Sequence, residues 1–198
     1  MYNLNTQEKI RNYILSSSEI VHNSVSLAPN IEKSITSIVK CLRKGNKVVL
    51  FGNGGSAADA QHIAAEFIGR FKINRKSLPA IALSNNSSTI TAISNDFSFD
   101  SVFSRQCESL ISKGDVVIGI STSGNSLNVK KGINTSKKNG AITIGLLGNK
   151  GGSIKRCVDI PLIVNSTSTP HIQEVHRTIY HIICEIVEKE LVESSRKK

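Results

Sequence analysis

The stretch Lys47-Val48-Val49-Leu50-Phe51-Gly52-Asn53-Gly54-Gly55-Ser56-Ala57-Ala58-Asp59-Ala60-Gln61-His62 decides the fold. Lys47–Phe51 is an apolar, β-branched run of the kind found in strands covered on both faces of a parallel sheet. The glycines after it let the backbone turn tightly. Ala57–Arg70 then continues with helical length and pattern. Strand, glycine turn and helix in that order predict an α/β fold.

The same reading extends outward. Ala80–Leu83, Val116–Ile120, Ala141–Leu146 and Ile160–Val164 are further strand-like runs, and Phe99–Ser112 and Ser126–Asn139 are helical segments between them. The pattern predicts a five-stranded parallel sheet with right-handed crossovers and flanking helices. Thr6–Val25 and Ile31–Arg43 are predicted helices ahead of the first strand. Pro170–Leu191 closes the chain with Ile172, Val175, Ile179, Ile182, Ile183, Ile186 and Val187 at helical spacing, so it packs on the sheet or on another subunit. Residues 1–198 read as a single domain without linker or repeat, with residues 1–44 as its helical N-terminal extension.

Composition excludes several classes. No apolar run approaches the ~20 residues of a membrane span. Met1–Arg11 is polar and lacks the basic-then-apolar layout of a secretory signal, so a cytoplasmic location is expected. Cys41, Cys107, Cys157 and Cys184 are far apart and read as small apolar residues in a reducing compartment. The formal charge of +10 comes from scattered residues, with small clusters at Arg75-Lys76, Lys130-Lys131, Lys137-Lys138 and a frayed tail at Arg196-Lys197-Lys198. No aromatic residues interleave with a basic stripe, so nucleic acid is not an expected partner. A positive field does attract small phosphorylated substrates.

Ligands of open parallel sheets bind beyond the carboxyl ends of the strands, where two loops are unusual. Gly52-Asn53-Gly54-Gly55-Ser56 brings backbone close to a ligand at a helix N-terminus. Gly52, Gly54 and Ala57 also satisfy a dinucleotide fingerprint, but that motif wants an acidic residue closing the next strand. Here the next strand runs into Ser84-Asn85-Asn86, and NAD is set aside. Ser121-Thr122-Ser123-Gly124-Asn125-Ser126 places four hydroxyls before a helix. One would suffice as a cap, so the loop reads as a phosphate cradle.

His62 and Glu66 lie four residues apart on one helix face, and Gln173 and His181 lie eight apart on the last helix, again on roughly one face. By spacing alone, a surface hydrogen bond and a site for zinc or a similar divalent ion both remain open. His171 and His176 read as helix-surface or packing residues rather than ligands.

The run Phe51–His62, continuing through Glu66-Phe67-Ile68-Gly69-Arg70, closely resembles bacterial phosphoheptose isomerases of the sugar isomerase (SIS) domain superfamily. The resemblance continues through Ser94-Asn95-Asp96-Phe97, Phe103-Ser104-Arg105, Gly119–Ser126 and Ile172-Gln173-Glu174-Val175-His176 to His181. It implies a cytoplasmic homotetramer, with active sites at subunit interfaces, converting sedoheptulose 7-phosphate to D-glycero-D-manno-heptose 7-phosphate for nucleotide-activated heptoses. It also implies one zinc ion per site, held by His62, Glu66, Gln173 and His181. The implied substrate-binding residues are Asn53, Gly54, Gly55, Ser56, Glu66, Asn95, Asp96, Ser121, Thr122, Ser123, Ser126 and Gln173.

Ketose–aldose isomerisation moves a proton between adjacent carbons through an enediolate, so one group removes a carbon-bound proton and another handles the oxygen. Glu66 is the expected base and His181 its acid/base partner, although a metal-bound carboxylate is a poorer base than a free one. Two segments depart from the family pattern: Ser84–Ser88 is more polar, and Asn165–His171 carries small hydroxyl residues where many relatives have aromatic and charged ones. Two alternatives stand beside this reading. One is an isomerase of another phosphosugar. The other is a non-catalytic SIS-domain tetramer that binds the replication initiator and lacks the full catalytic set; the presence of both Glu66 and His181 favours catalysis.

Overall fold

The computed structural model describes residues 5–196; Met1–Leu4 at the start of the polar N-terminal segment and Lys197–Lys198 of the basic tail lie outside the described residues. Among the described residues, α-helices and strands succeed one another as α1 Thr6–Asn23, α2 Ala28–Arg43, β1 Val48–Gly52, α3 Gly55–Ile68, β2 Ala80–Ala82, α4 Ser87–Asp96, α5 Val102–Leu110, β3 Val116–Ser121, α6 Leu127–Lys138, β4 Ile142–Leu147, β5 Ile160–Ile163 and α7 Thr169–Arg196. The five strands form one parallel sheet in the order β2-β1-β3-β4-β5.

Alternation along each strand divides the core between the two faces. Val48, Leu50, Ile118, Ile120, Ile144 and Leu146 pack towards α2, α3 and α7, with Ile38, Ile63, Val175 and Ile179. Val49, Phe51, Val117 and Leu147 pack towards α5 and α6, with Phe103, Val129 and Ile133. Full burial of such aliphatic and aromatic side chains contributes roughly 1.5–3 kcal/mol each. The sheet edges are short: β2 has three residues, and β5 has four, including Pro161.

Several boundaries differ from the sequence reading. The predicted helix Phe99–Ser112 is a 3₁₀ turn, Phe99–Ser101, followed by α5. The first helix stops at Asn23, a 3₁₀ turn covers Ser24–Leu27, and α2 starts at Ala28, ahead of Ile31, with Pro29 in its first turn. The polar segment Ser84–Ser88 leads into α4, which the sequence did not betray because it is rich in Ser and Thr and buries no residue. Asn86 caps it, accepting from the Thr89 N–H at 3.0 Å.

Candidate functional site

The strand order reverses between β1 and β3, because the chain leaves β1 towards β2 on one side and β3 towards β4 on the other. A crevice opens at such a switch point. Register pairs Gly52 with Ile120, so the glycine loop and the hydroxyl loop leave the sheet side by side.

The glycine loop turns at Gly54, whose φ of 55° favours glycine, and α3 begins at Gly55, two residues before the predicted start. Asn53 and Asn128 exchange amide hydrogen bonds at 2.9 Å in both directions, joining this loop to the first turn of α6. The Asn53 side chain is thereby engaged with the protein, and Ser56 is buried.

The hydroxyl loop behaves differently from a helix cap. Ser126 stands at the N-cap of α6 but accepts no side-chain bond from the helix. Its hydroxyl lies 3.0 Å from Ser121 Oγ, which also lies 3.3 Å from Ser123 Oγ. The Ser121, Ser123 and Ser126 hydroxyls meet one another; in the first turn of α6 the Val129 N–H donates to Asn128 Oδ1 at 2.8 Å, which leaves the N–H groups of Leu127 and Asn128 to face an anion. The loop is braced from behind: Gly124 O accepts from Ile154 N at 3.0 Å, and Asn125 Oδ1 from Ser153 N at 2.8 Å. Asn95 and Asp96 sit at the exposed end of α4, where Asn95 Nδ2 donates to Asp96 Oδ1 at 2.9 Å. Among the described residues, no hydrogen bond ties this pair to either loop.

The third group lies on the facing sides of α3 and α7. His62 Nε2 is 3.0 Å from Glu66 Oε1, and the rings of His62 and His181 stand 5.3 Å apart. Burial first, then the neighbouring His62, pulls His181 below its ordinary value, with Glu66 pulling the other way. Tyr180, Asp59 and Arg177 complete the cluster, with Tyr180 Oη 3.2 Å from His62 Nδ1 and 3.3 Å from buried Asp59 Oδ1. Arg177 Nε donates to Tyr180 Oη at 3.1 Å. Burial, then Asp59, pushes the Tyr180 phenol up to about 12. The sequence reading missed these three residues, yet Asp59, His62 and Glu66 follow an i, i+3, i+7 spacing that marks one helix face.

The far end of α3 is held by Arg75 and Glu188. Arg75 donates to the carbonyls of Glu66 (2.9 Å) and Phe67 (2.8 Å), and its Nε lies 2.9 Å from buried Glu188. Burial pushes Glu188 up, but the N–H groups of Lys72, Phe71 and Ile73 and the Arg75 charge outweigh it, holding the carboxyl below its usual range.

Gln173 is not part of the histidine cluster in this chain. Its side chain lies over Gly55, where a Cβ would come 2.0 Å from Nε2. The helical rise puts it about 12 Å along α7 from His181. Two imidazoles and a carboxylate are suitable zinc donors, and His62, Glu66 and His181 do come together. As they stand they do not enclose an ion: among the described residues, no three His, Cys, Asp or Glu side chains form a group that could hold one. His171 and His176 are buried, and burial pushes His176 down to about 4 against the opposing Leu147 carbonyl, as expected of packing residues.

A parallel sheet whose switch point carries a glycine loop and a hydroxyl cradle defines the SIS-domain class, and the SIS domain profile matches residues 12–148. A phosphoheptose isomerase of Geobacter sp. (strain M21) is 55% identical over 165 residues, 83% of this chain and 86% of that protein. Among solved structures, phosphoheptose isomerases from Neisseria gonorrhoeae (36% identical, TM-score 0.88) and Francisella tularensis (33%, TM-score 0.91) superpose over 92% and 94% of this chain, and over 98% and 100% of theirs. The chain belongs to the phosphoheptose isomerase family.

Proposed function

We propose that the chain interconverts sedoheptulose 7-phosphate and D-glycero-D-manno-heptose 7-phosphate through an enediolate, feeding nucleotide-activated heptose synthesis. Family membership makes it a phosphosugar isomerase. The particular sugar rests on the relatives' names together with a phosphate cradle and a His–Glu–His cluster in one chain. The observation that carries the reading is that Glu66 touches His62 beside His181, across two helices far apart in sequence.

In this reading the Ser121–Ser126 hydroxyls and the N–H groups of α6 hold the phosphate, and the Gly54–Ser56 backbone lines the sugar's path. Anchoring this remote group orients the reacting carbons. Glu66 removes the carbon-bound proton and returns it to the neighbouring carbon, while His181 moves the proton between the two oxygens. His62, Glu66 and His181 are suitable donors for a divalent ion, which they would hold only once their side chains turn to enclose it, and which when bound supplies polarisation of the carbonyl oxygen. Gln173 would join the same ion only from a second copy, given its place against Gly55.

That requirement agrees with an oligomer. α1 buries no residue, and Ile10, Tyr13, Ile14 and Leu15 are exposed along it. A largely apolar hollow of about 610 Å³, lined by residues including Val25, Ile35, Ile182 and Ile186, opens between the turn after α1, α2 and α7. We assign both faces to neighbouring subunits of a homotetramer in the cytoplasm.

The test is incubation of the purified protein with sedoheptulose 7-phosphate, with and without a chelator. The aldose is expected to appear, and to stop appearing when chelator removes the metal until zinc is restored. No conversion with zinc present would overturn the substrate assignment; conversion indifferent to chelator would overturn the metal.

A further inference from the structure

The turn after β4 has an uncommon backbone. Asn149 (φ 47°), Lys150 (φ 59°), Gly151 (φ 84°) and Gly152 (φ 52°) follow one another with positive φ. Glycine and asparagine accept that region readily, but lysine adopts it at a cost. Such backbone persists where the surrounding structure enforces it. Here the neighbour is the hydroxyl loop. A Cβ on Gly152 would come 2.4 Å from Gly124 O and 2.7 Å from Asn125 Oδ1, and one on Gly124 would come 2.4 Å from the Gly151 carbonyl carbon. The two turns pack main chain against main chain, with no room for a methyl group on either.

The contact also sorts the polar atoms of the hydroxyl loop. Ser121 O accepts from the N–H groups of Gly124 at 3.1 Å and Gly148 at 3.2 Å, and Gly124 O accepts from Ile154 N at 3.0 Å. Asn125 accepts from Ser153 N through Oδ1 at 2.8 Å and donates through Nδ2 to Ser123 O at 3.2 Å. Carbonyl oxygens carry partial negative charge and repel an anion that meets them. Those of Ser121, Ser123 and Gly124 are occupied within the protein. What the loop has left to offer a phosphate is its hydroxyls and the opening N–H groups of α6. On its far side the turn is anchored as well, since Asn149 N donates to Ser166 O at 3.0 Å. A methyl group added at Gly152 therefore displaces the hydroxyl loop rather than letting the turn retreat.

We propose that the Asn149–Gly152 turn is a positioning element for the phosphate cradle. Gly152 and Ser153 act through Gly124 and Asn125 to keep the Ser121–Ser126 loop in the shape that accepts an anion. The inference rests on the phosphate reading of that loop given above and is independent of any cation at the histidine cluster.

The test is an amide NMR titration of the ¹⁵N-labelled protein with inorganic phosphate. In wild type, phosphate is expected to shift the amides of residues 121–128. Gly152→Ala should weaken phosphate binding about tenfold, the worth of one hydrogen bond to a charged group, and raise KM for sedoheptulose 7-phosphate more than it lowers kcat. Gly45→Ala is the matched control: Gly45 also has positive φ, 79°, but a Cβ there meets nothing within 4 Å, so it carries the same backbone cost away from the cradle. It should bind phosphate as wild type does. Ser153→Pro serves where Gly152→Ala fails to fold: the φ of Ser153, −76°, suits proline, and the substitution removes the N–H that reaches Asn125, so it should weaken phosphate binding in the same direction. Variants at Gly152 or Ser153 that bind phosphate as wild type does, or a Gly45→Ala that loses as much affinity, would overturn the positioning role and leave the cradle standing. A wild type whose 121–128 amides ignore phosphate fails differently: it overturns the cradle reading and this role with it.

Discussion

The phosphate side and the proton-transfer side of this site are built by different means. The first is largely backbone: two loops at adjacent strand ends, a glycine with positive φ and the opening N–H groups of α6, joined by short hydroxyl side chains that meet one another. Each of the two loops is a run of consecutive residues. The second is side chains: α3 and α7 lie more than a hundred residues apart and meet through His62, Glu66 and His181, with Asp59, Tyr180 and Arg177 behind them. A backbone cradle is specified locally and tolerates neighbours; a side-chain cluster depends on every helix that aims it. The two sides should therefore fail separately.

The largest separation is expected from Glu66→Gln. It should lower kcat by about 100-fold or more while substrate still binds. Isotope exchange at the substrate carbon, together with calorimetric binding, checks both halves; near-wild-type turnover would remove Glu66 from the chemistry. Gly55→Ala strikes where the sides meet, since the new methyl displaces the flexible end of Gln173. Activity should fall roughly 100-fold, as small misplacements near reacting groups do. Stability should drop by about 1 kcal/mol or less, because a flexible side chain can yield.

Glu188→Gln loosens the far end of α3 without touching either loop. Leaving Arg75 and three N–H groups with a weaker acceptor should cost about 1–3 kcal/mol in urea unfolding. Because the folded pKa of Glu188 is lowered, its contribution is fully present above the unfolded value of about 4.3 and is lost as pH falls through the folded value. Below that point wild type and variant should converge; a constant gap down to acid would assign the effect to packing instead. The smallest effect is expected from Ser126→Ala. Ordinary N-cap loss costs about 1 kcal/mol, but this hydroxyl caps nothing, so thermal stability should barely move while KM rises about tenfold. A clear loss of stability with unchanged KM would return Ser126 to the role of a cap.

The same contrast explains what the sequence disclosed. The strand–glycine–helix unit at Lys47–His62, the hydroxyl loop and the order of strands and helices were legible because each is written in consecutive residues. Helix α4 was not, since nothing in Ser87–Asp96 is buried and its Ser- and Thr-rich start resembles a loop. Glu66 and His181 were legible through family resemblance, and Gln173 with them. Spacing alone could not place Gln173 against Gly55, because that contact depends on how α7 lies along α3. Tyr180, Arg177 and Glu188 were silent for the same reason: their partners come from another helix or the loop after it.

The narrow borders of the sheet have a further consequence. A strand of three residues at one margin and a proline-bearing strand at the other offer few free backbone groups to a passing chain. Growth of this molecule by continuing its sheet into a neighbour's is thereby discouraged, and the protein can crowd together in solution through its helices without seeding fibrils from its strands.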